Sequence, residues 1–354
     1  MLPQAIVGSL SIPPKRLPAH NARVKRDYRT ISVRFAVGDS TPSNGRHLFN
    51  GPDSLLEHRR PYGGMTMRIG FIGAGKVATA FGRYLHAKGL TISGYYDHHA
   101  DKMTHASQCT QSRACRSAAE IAPISDMILI TTRDDQIRTA CKALAREAVL
   151  GPDHLVGHMS GAHASLILSD AAALGSAIFS LHPLQAFAEE HKAVADLEAT
   201  YFSIEGSDDR LTIIEGILDR TGNRFFRIQP QHKQIYHLAA CVFSNYLVTL
   251  MHMGMTALEK SGIDPTEGFR AMRPLIEGTL ANIAQIGPAR ALTGPIARGD
   301  ATTISRHLEA LDARRLDDLK RSYLFLGQKT LELATQAVLK EPGLADALAQ
   351  LLKK

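Results

Sequence analysis

From Met67 onward the chain alternates short apolar runs with stretches of helical period. Met67–Ile72 reads as a strand, Lys76–Lys88 as a helix closed by Gly89, and Thr91–Tyr96 as a second strand. Ala118–Ile121 belongs to a short helix, and Asp126–Thr131 is a strand of nearly continuous apolar residues. Ile137–Leu150 is helical, and Leu155–Met159 is another strand. Further strands are expected at Ala177–Leu181, Thr200–Ile204 and Arg224–Ile228, with a helix at Leu211–Thr221 before the last. Apolar strands alternating with helices predict a doubly wound, mostly parallel sheet covered on both faces. After Pro230 the strand signals stop, and helices follow at about 232–261, 266–286, 301–312, 315–336 and 342–352. The pattern therefore gives an α/β domain at 67–229 and an all-helical domain at 230–354.

Residues 1–66 have no sustained period and carry Pro13-Pro14, Pro18, Pro42, Gly51-Pro52 and Gly63-Gly64 among scattered arginines. They read either as a disordered arm, with some likeness to a transit peptide, or as a mis-called start with the natural chain opening at Met67. This segment also holds most of the formal charge of +7, with ten Lys/Arg against four Asp/Glu. Beyond it 31 basic residues face 30 acidic ones, so the folded body is nearly neutral and no nucleic-acid surface is expected. The four cysteines have no C-x-x-C pair and no metal-ligand spacing, which fits reduced thiols in a cytoplasmic protein.

From Ile235 to Leu258 the chain has no Asp, Glu, Lys or Arg. His237, Ser244, Asn245, His252 and Thr256 interrupt the run, and each is costly against lipid. The expectation is a buried helix in a protein without membrane contact.

Gly73-Ala74-Gly75-Lys76-Val77-Ala78 fits G-x-G-x-x-G/A. The pattern is informative because it follows a strand, opens a helix, and has Asp97 at the end of the next strand. Gly73 permits the tight turn, Gly75 clears the approach to a pyrophosphate, and Ala78 keeps the helix close to the sheet. The backbone of Ala74, Gly75, Lys76 and Val77 then faces the phosphates at a helix N-terminus. Asp97 suits the two ribose hydroxyls of NAD, whereas His98, His99 and Lys102 could hold the 2′-phosphate of NADP; NAD is favoured. Thr131 and Thr132 end the third major strand on the same side of the sheet. His98, His99, Asp101 and His105 lack ligand spacing, so no metal is expected.

Ligands of such sheets sit beyond the carboxyl ends of the strands, where the sequence places Ser160, Gly161, His182 and Gln185. His237, Cys241 and Asn245 share one face of the charge-free helix at i, i+4 and i+8, with Ser244 beside them. Polar groups on such a stripe need partners, either a substrate or another protein surface. His237 is the candidate proton donor, with His182 as the other, and Asn245 the candidate anchor for a carbonyl or carboxylate. In Leu292–Asp300, Asp300 reads as the cap of the next helix and Arg298 as a carboxylate clamp or a solvated side chain.

GFIGAGKVATAFGRYL, HMSG, SLHPLQAF, YHLAACVFSNYLVTL and ALTGPIARGD together resemble a bacterial family of oxidoreductase-like proteins. Its members pair a Rossmann-like NAD(P)-binding domain with a C-terminal helical domain of unknown function. The resemblance runs from Met67 to about Ala334. The architecture is also similar to pyrroline-5-carboxylate reductase, ketopantoate reductase and hydroxyisobutyrate dehydrogenase, with a helical domain of the 6-phosphogluconate-dehydrogenase C-terminal type. The resemblance implies a homodimer formed through the helical domain and hydride transfer between NAD(P) and a small carbonyl, hydroxy or imino acid. It also implies a departure. Two of those relatives carry a catalytic Lys four residues before the Asn, and here that position is Cys241. Either His237 or His182 would then supply the proton, or the reaction would need little acid help, as with an already protonated imine, or hydride transfer would be lost. Ser160 remains a further catalytic candidate. The alternatives are a dinucleotide sensor without catalysis and a structural dimer module.

Overall fold

The computed structural model describes residues 67–147, 150–206 and 210–353. They belong to one folded unit, and the expectations for residues 1–66 lie outside them. The α/β part runs β1 (Arg68–Ile72), α1 (Lys76–Ala87), β2 (Thr91–Tyr96), α2 (Ala100–Cys109), β3 (Arg113–Ala114), β4 (Met127–Ile130), α3 (Ile137–Arg146) and β5 (Leu155–His158). It continues with α4 (Ser169–Ala172), β6 (Ala177–Pro183), α5 (Glu190–Asp196), β7 (Phe202–Gly206), α6 (Leu211–Thr221) and β8 (Phe225–Arg227).

The eight strands lie in the order β3-β2-β1-β4-β5-β6-β7-β8. All neighbours are parallel except β6 and β7, which pair antiparallel. The chain steps from β1 outward to β3 and then returns to β4, so the strand order reverses between β1 and β4. Crevices at such reversals are where open α/β sheets take their ligands. The continuous apolar character of β4 has a direct cause. Met127 and Leu129 pack into the layer on one face, Ile128 and Ile130 into the layer on the other.

The helical part begins with a single helix over Pro230–Lys260. It consists of α7 (Lys233–Cys241), a π-helical turn at Val242–Tyr246, and α8 (Leu247–Lys260). There follow α9 (Pro265–Ile286), α10 (Pro288–Ala291), α11 (Ala301–Ala313), α12 (Asp317–Ala337) and α13 (Pro342–Leu352). Asp264 accepts hydrogen bonds from the Thr266 and Glu267 amides, and Pro265 supplies a first turn that needs no donor. Asp300 caps α11 through the Thr303 amide at 3.0 Å. Ile304, Leu308, Leu331, Leu348 and Leu352 form a separate small core for these last helices.

One expectation is overturned. The charge-free helix is not buried: its most apolar stretch lies on the surface of the chain. Phe243 is 81% exposed and Val248 68%, and on α9, which packs beside α8, Leu275 is 67% exposed. A charge-free sequence demands apolar surroundings, but the demand says nothing about which molecule provides them.

Candidate active site

The glycine loop is shaped by its neighbours. Gly73 has φ +102°, and a Cβ there would stand 2.8 Å from the Thr131 carbonyl. Its amide donates to the Tyr96 carbonyl at 2.7 Å, and the Thr131 hydroxyl donates to the Gly73 carbonyl at 2.9 Å. The turn is therefore locked between β2 and β4, and only glycine fits it. Gly75 is different: a Cβ there meets nothing within 4 Å, so its open side faces free space. No side chain caps α1, which leaves its first amides free.

Asp97 links this loop to the next. One carboxylate oxygen accepts the Ala74 amide at 2.7 Å and the other the His99 amide at 2.8 Å. Gly73, Gly75, Asp97, Thr131 and Thr132 line a cavity of about 510 Å³, and His98, His99 and Lys102 stand on its wall. Lys76 and Val77 do not bring their side chains to it. The Lys76 ammonium donates to the Ala188 carbonyl at 2.7 Å, and Val77 packs on the sheet core. These two offer backbone amides only.

A second cluster forms where β5 and β6 end against α7. The Ser160 hydroxyl donates to Asp134 at 2.8 Å and accepts from the amides of Ala162 and His163. This turn carries Gly161, which is buried. A Cβ on Gly161 would lie 2.8 Å from His182 Nε2 and 2.7 Å from His237 Nδ1. The two imidazoles, with ring centroids 6.2 Å apart, therefore each pack one nitrogen against Gly161. His182 Nδ1 pairs with the Tyr236 hydroxyl at 2.7 Å. His237 Nε2 lies 3.6 Å from the Cys241 sulfur, while its Nδ1 is buried without a hydrogen-bond partner among the described residues. A buried nitrogen without a partner is rare in folded proteins, which makes this atom a candidate to meet a polar ligand.

Beneath this pair lies Lys233, 1% exposed. Its ammonium donates to the Ser180 hydroxyl at 2.8 Å and to the Ser160 carbonyl at 3.3 Å, and stands 5.6 Å from the Tyr236 ring centroid. Burial pulls its pKa down to about 8, against the opposing influence of Glu205 and Asp134. Both carboxylates are engaged elsewhere, Glu205 with the Ser165 amide and hydroxyl at 2.6 and 2.7 Å and Asp134 with Ser160. Burial, then the charge of Lys233, then His237 lower His182 to about 4, so it is neutral at pH 7. Burial lowers His158 to about 3. Nothing in the sequence marks Lys233 except its place just before the charge-free run. Position 241 offers no lysine, as the sequence shows, but Lys233 at the start of the same helix is buried beside the histidines.

Other candidates stand apart. Gln185 uses its amide for the fold, donating to the Ala193 carbonyl at 2.9 Å and accepting from Thr200 at 2.8 Å, so it is not poised for a substrate. Asn245 falls on the π-helical turn and is exposed, one turn beyond Cys241. Arg298 is exposed on the turn before α11, where its charge lies near Asp300. Among the described residues neither is joined to the histidine cluster. His105 does meet two further metal-type donors, Cys109 and Glu190, within 4.8 Å. These come from outside the His98–His105 segment, and Arg83 already pairs with Glu190 at 2.6 Å.

Comparison with known proteins agrees with this architecture. A Rossmann-like domain matches residues 57–183, and a domain of unknown function, DUF2520, matches residues 200–330. The chain thus pairs a Rossmann-like domain with a DUF2520 domain, as the sequence resemblance implied. A search of curated proteins finds no match. Among solved structures, a candidate NADP oxidoreductase from Bacteroides fragilis is similar with a TM-score of 0.60 at 22% identity, over 72% of this chain and 95% of that one. An imine reductase from a Pseudomonas species gives 0.55 at 17% identity, over 80% and 100%. A pyrroline-5-carboxylate reductase from Coxiella burnetii gives 0.50 at 15%, over 81% and 99%. At these identities the likeness concerns the fold.

Proposed function

We propose that the chain is an NAD(P)-dependent reductase or dehydrogenase acting on a small carbonyl, hydroxy or imino acid. The observation that carries this reading is the pairing of His182 Nε2 and His237 Nδ1 against the buried Gly161, on the ligand side of a sheet whose first loop fits a dinucleotide. Structural neighbours include an NADP oxidoreductase candidate and an imine reductase, which supports the reaction class by analogy.

The glycine-loop residues fit the cofactor. Gly75 is clear for a pyrophosphate, and the free amides of α1 and its positive dipole end favour the phosphate charge. Each Asp97 oxygen keeps a lone pair beyond its backbone bond and can accept a ribose hydroxyl, and its charge repels a 2′-phosphate. NAD is therefore the proposed cofactor, with His98, His99 and Lys102 as the residues that would favour NADP instead. When bound, the nicotinamide supplies or accepts the hydride. In the reducing direction His182 and His237 hold the substrate oxygen or nitrogen, and His237 delivers the proton that this atom takes as its π bond is lost. The buried environment excludes competing water and strengthens both hydrogen bonds.

The reading also takes a second copy of the chain as the cover for the apolar surface of α8 and α9. A lipid surface is disfavoured because His237 and Cys241 at the start of the same helix turn into the α/β cluster rather than outward. Asn245 and Arg298 would then act at the partner's cleft. Replacing His237 by Ala tests the catalytic assignment. Turnover of keto acids or cyclic imines should fall by roughly 10²–10⁴-fold with cofactor affinity unchanged. Equal losses in both would remove His237 from the chemistry.

A further inference from the structure

Among the described residues the buried ammonium of Lys233 has no ion-pair partner. It is held instead by Ser180, by the Ser160 carbonyl and by the face of Tyr236. Tyr236 in turn meets His182 Nδ1 at 2.7 Å. That contact can run in either direction, but the chemistry of the two groups selects one. A phenol is the stronger donor and an imidazole nitrogen the stronger acceptor, and burial holds the Tyr236 proton in place. With Tyr236 donating to Nδ1, the single ring proton of His182 must sit on Nε2, the atom beside Gly161.

We infer that Lys233 is a positioning residue: it fixes Tyr236 and the Ser160 turn so that His182 offers the substrate an Nε2–H hydrogen bond from an uncharged imidazole. The role deepens the hydride-transfer reading and rests on it for the identity of the substrate atom, a carbonyl oxygen or imine nitrogen. His182 then acts as an electrophile that polarises this atom without giving up a proton, and the proton is left to His237. The groups facing His182 are Lys233, Tyr236 and His237 from α7 and His158 from β5. Those facing Lys233 are Glu205 on β7, Asp134 after β4, and His158 and His182. The cation acts on both imidazoles of the sheet, and burial leaves little water to screen it.

The test is nitrogen-15 NMR of the histidine side chains in the full chain without ligand, with the His182 signals identified by their loss in His182→Gln. In the wild type, His182 is expected to stay neutral with its proton on Nε2 from pH 5 to pH 8. Lys233→Met should move its titration upward by about one unit. Tyr236→Phe should let the proton redistribute between the two nitrogens while leaving Lys233 in place, and serves if the Lys233 variant does not fold. A wild-type His182 that protonates in its ordinary range overturns the proposal, as does a proton on Nδ1 or a variant spectrum like that of the wild type. Because the spectra need neither cofactor nor turnover, the predicted tautomer in a chain that reduces nothing would retain the positioning role and reject the hydride-transfer reading.

Discussion

Gly161 and His182 stand so close that a methyl group on the glycine would lie 2.8 Å from the imidazole Nε2, and it would meet His237 Nδ1 at 2.7 Å as well. Both contacts are below van der Waals distance, and neither ring hangs free. His182 is tied to Tyr236, and His237 is near Cys241. Gly161→Ala should therefore push both imidazoles out of the places from which they meet the substrate. Steady-state kinetics should show kcat/KM lower by about 100-fold, since small displacements at a reacting centre have effects of that size. Affinity for the dinucleotide should be unchanged, because Gly161 does not line the glycine-loop cavity. A fully active Ala variant would place the substrate elsewhere.

Acid stability follows from the same cluster. His182 has its pKa lowered to about 4 and His158 to about 3, both chiefly by burial. Between those values and the unfolded-state value near 6.5, the unfolded chain binds more protons than the folded one, so stability rises with pH across the window. Below it the contribution is gone. For His182 the shift corresponds to roughly 3 kcal/mol, an order-of-magnitude figure. Urea unfolding of the wild type should show stability climbing from pH 4 to pH 6.5, and His182→Asn should flatten that slope. A slope unchanged in the variant would mean that His182 is as charged when folded as when unfolded.

The bare surface of α8 and α9 makes a prediction about assembly. Phe243, 81% exposed in the single chain, projects from the π-helical turn. Sedimentation should find a dimer, and Phe243→Glu should yield monomers by placing a charge in an apolar contact. Activity should fall with dissociation if Asn245 or Arg298 serves the partner's site. A wild-type monomer at working concentrations would leave those two residues without a role.

Much of this arrangement is legible in the sequence, for physical reasons. Continuous apolar strands such as β4 have no stable alternative to a covered parallel sheet, and the glycine loop is specified by sterics at Gly73. The long helices declare themselves by period, and Asp264 and Asp300 mark two of their starts. Less visible are α2, α5 and β3, which are short and polar, so that tertiary contacts rather than local pattern decide them. The site is legible only in part. His237 and Cys241 are adjacent by helical geometry, whereas His182 meets Tyr236 across 54 positions and Lys233 meets Ser160 across 73. Such pairings come from topology and leave no local trace. Gln185 shows the converse, a polar residue in a suggestive place whose amide serves the fold through both its nitrogen and its oxygen.

The claim on which the whole account depends is that the loop from Gly73 to Asp97 binds a nicotinamide dinucleotide. The direct measurement is titration of the chain with NADH and NADPH, following nicotinamide fluorescence, alongside Gly73→Ala. That variant forces a side chain to φ +102° and against the Thr131 carbonyl, at a cost of about 1–3 kcal/mol for the strained backbone alone. The account predicts saturable binding of about one NADH per chain, weaker binding of NADPH, and loss of both in the variant. Binding of neither coenzyme to the folded wild type would contradict it.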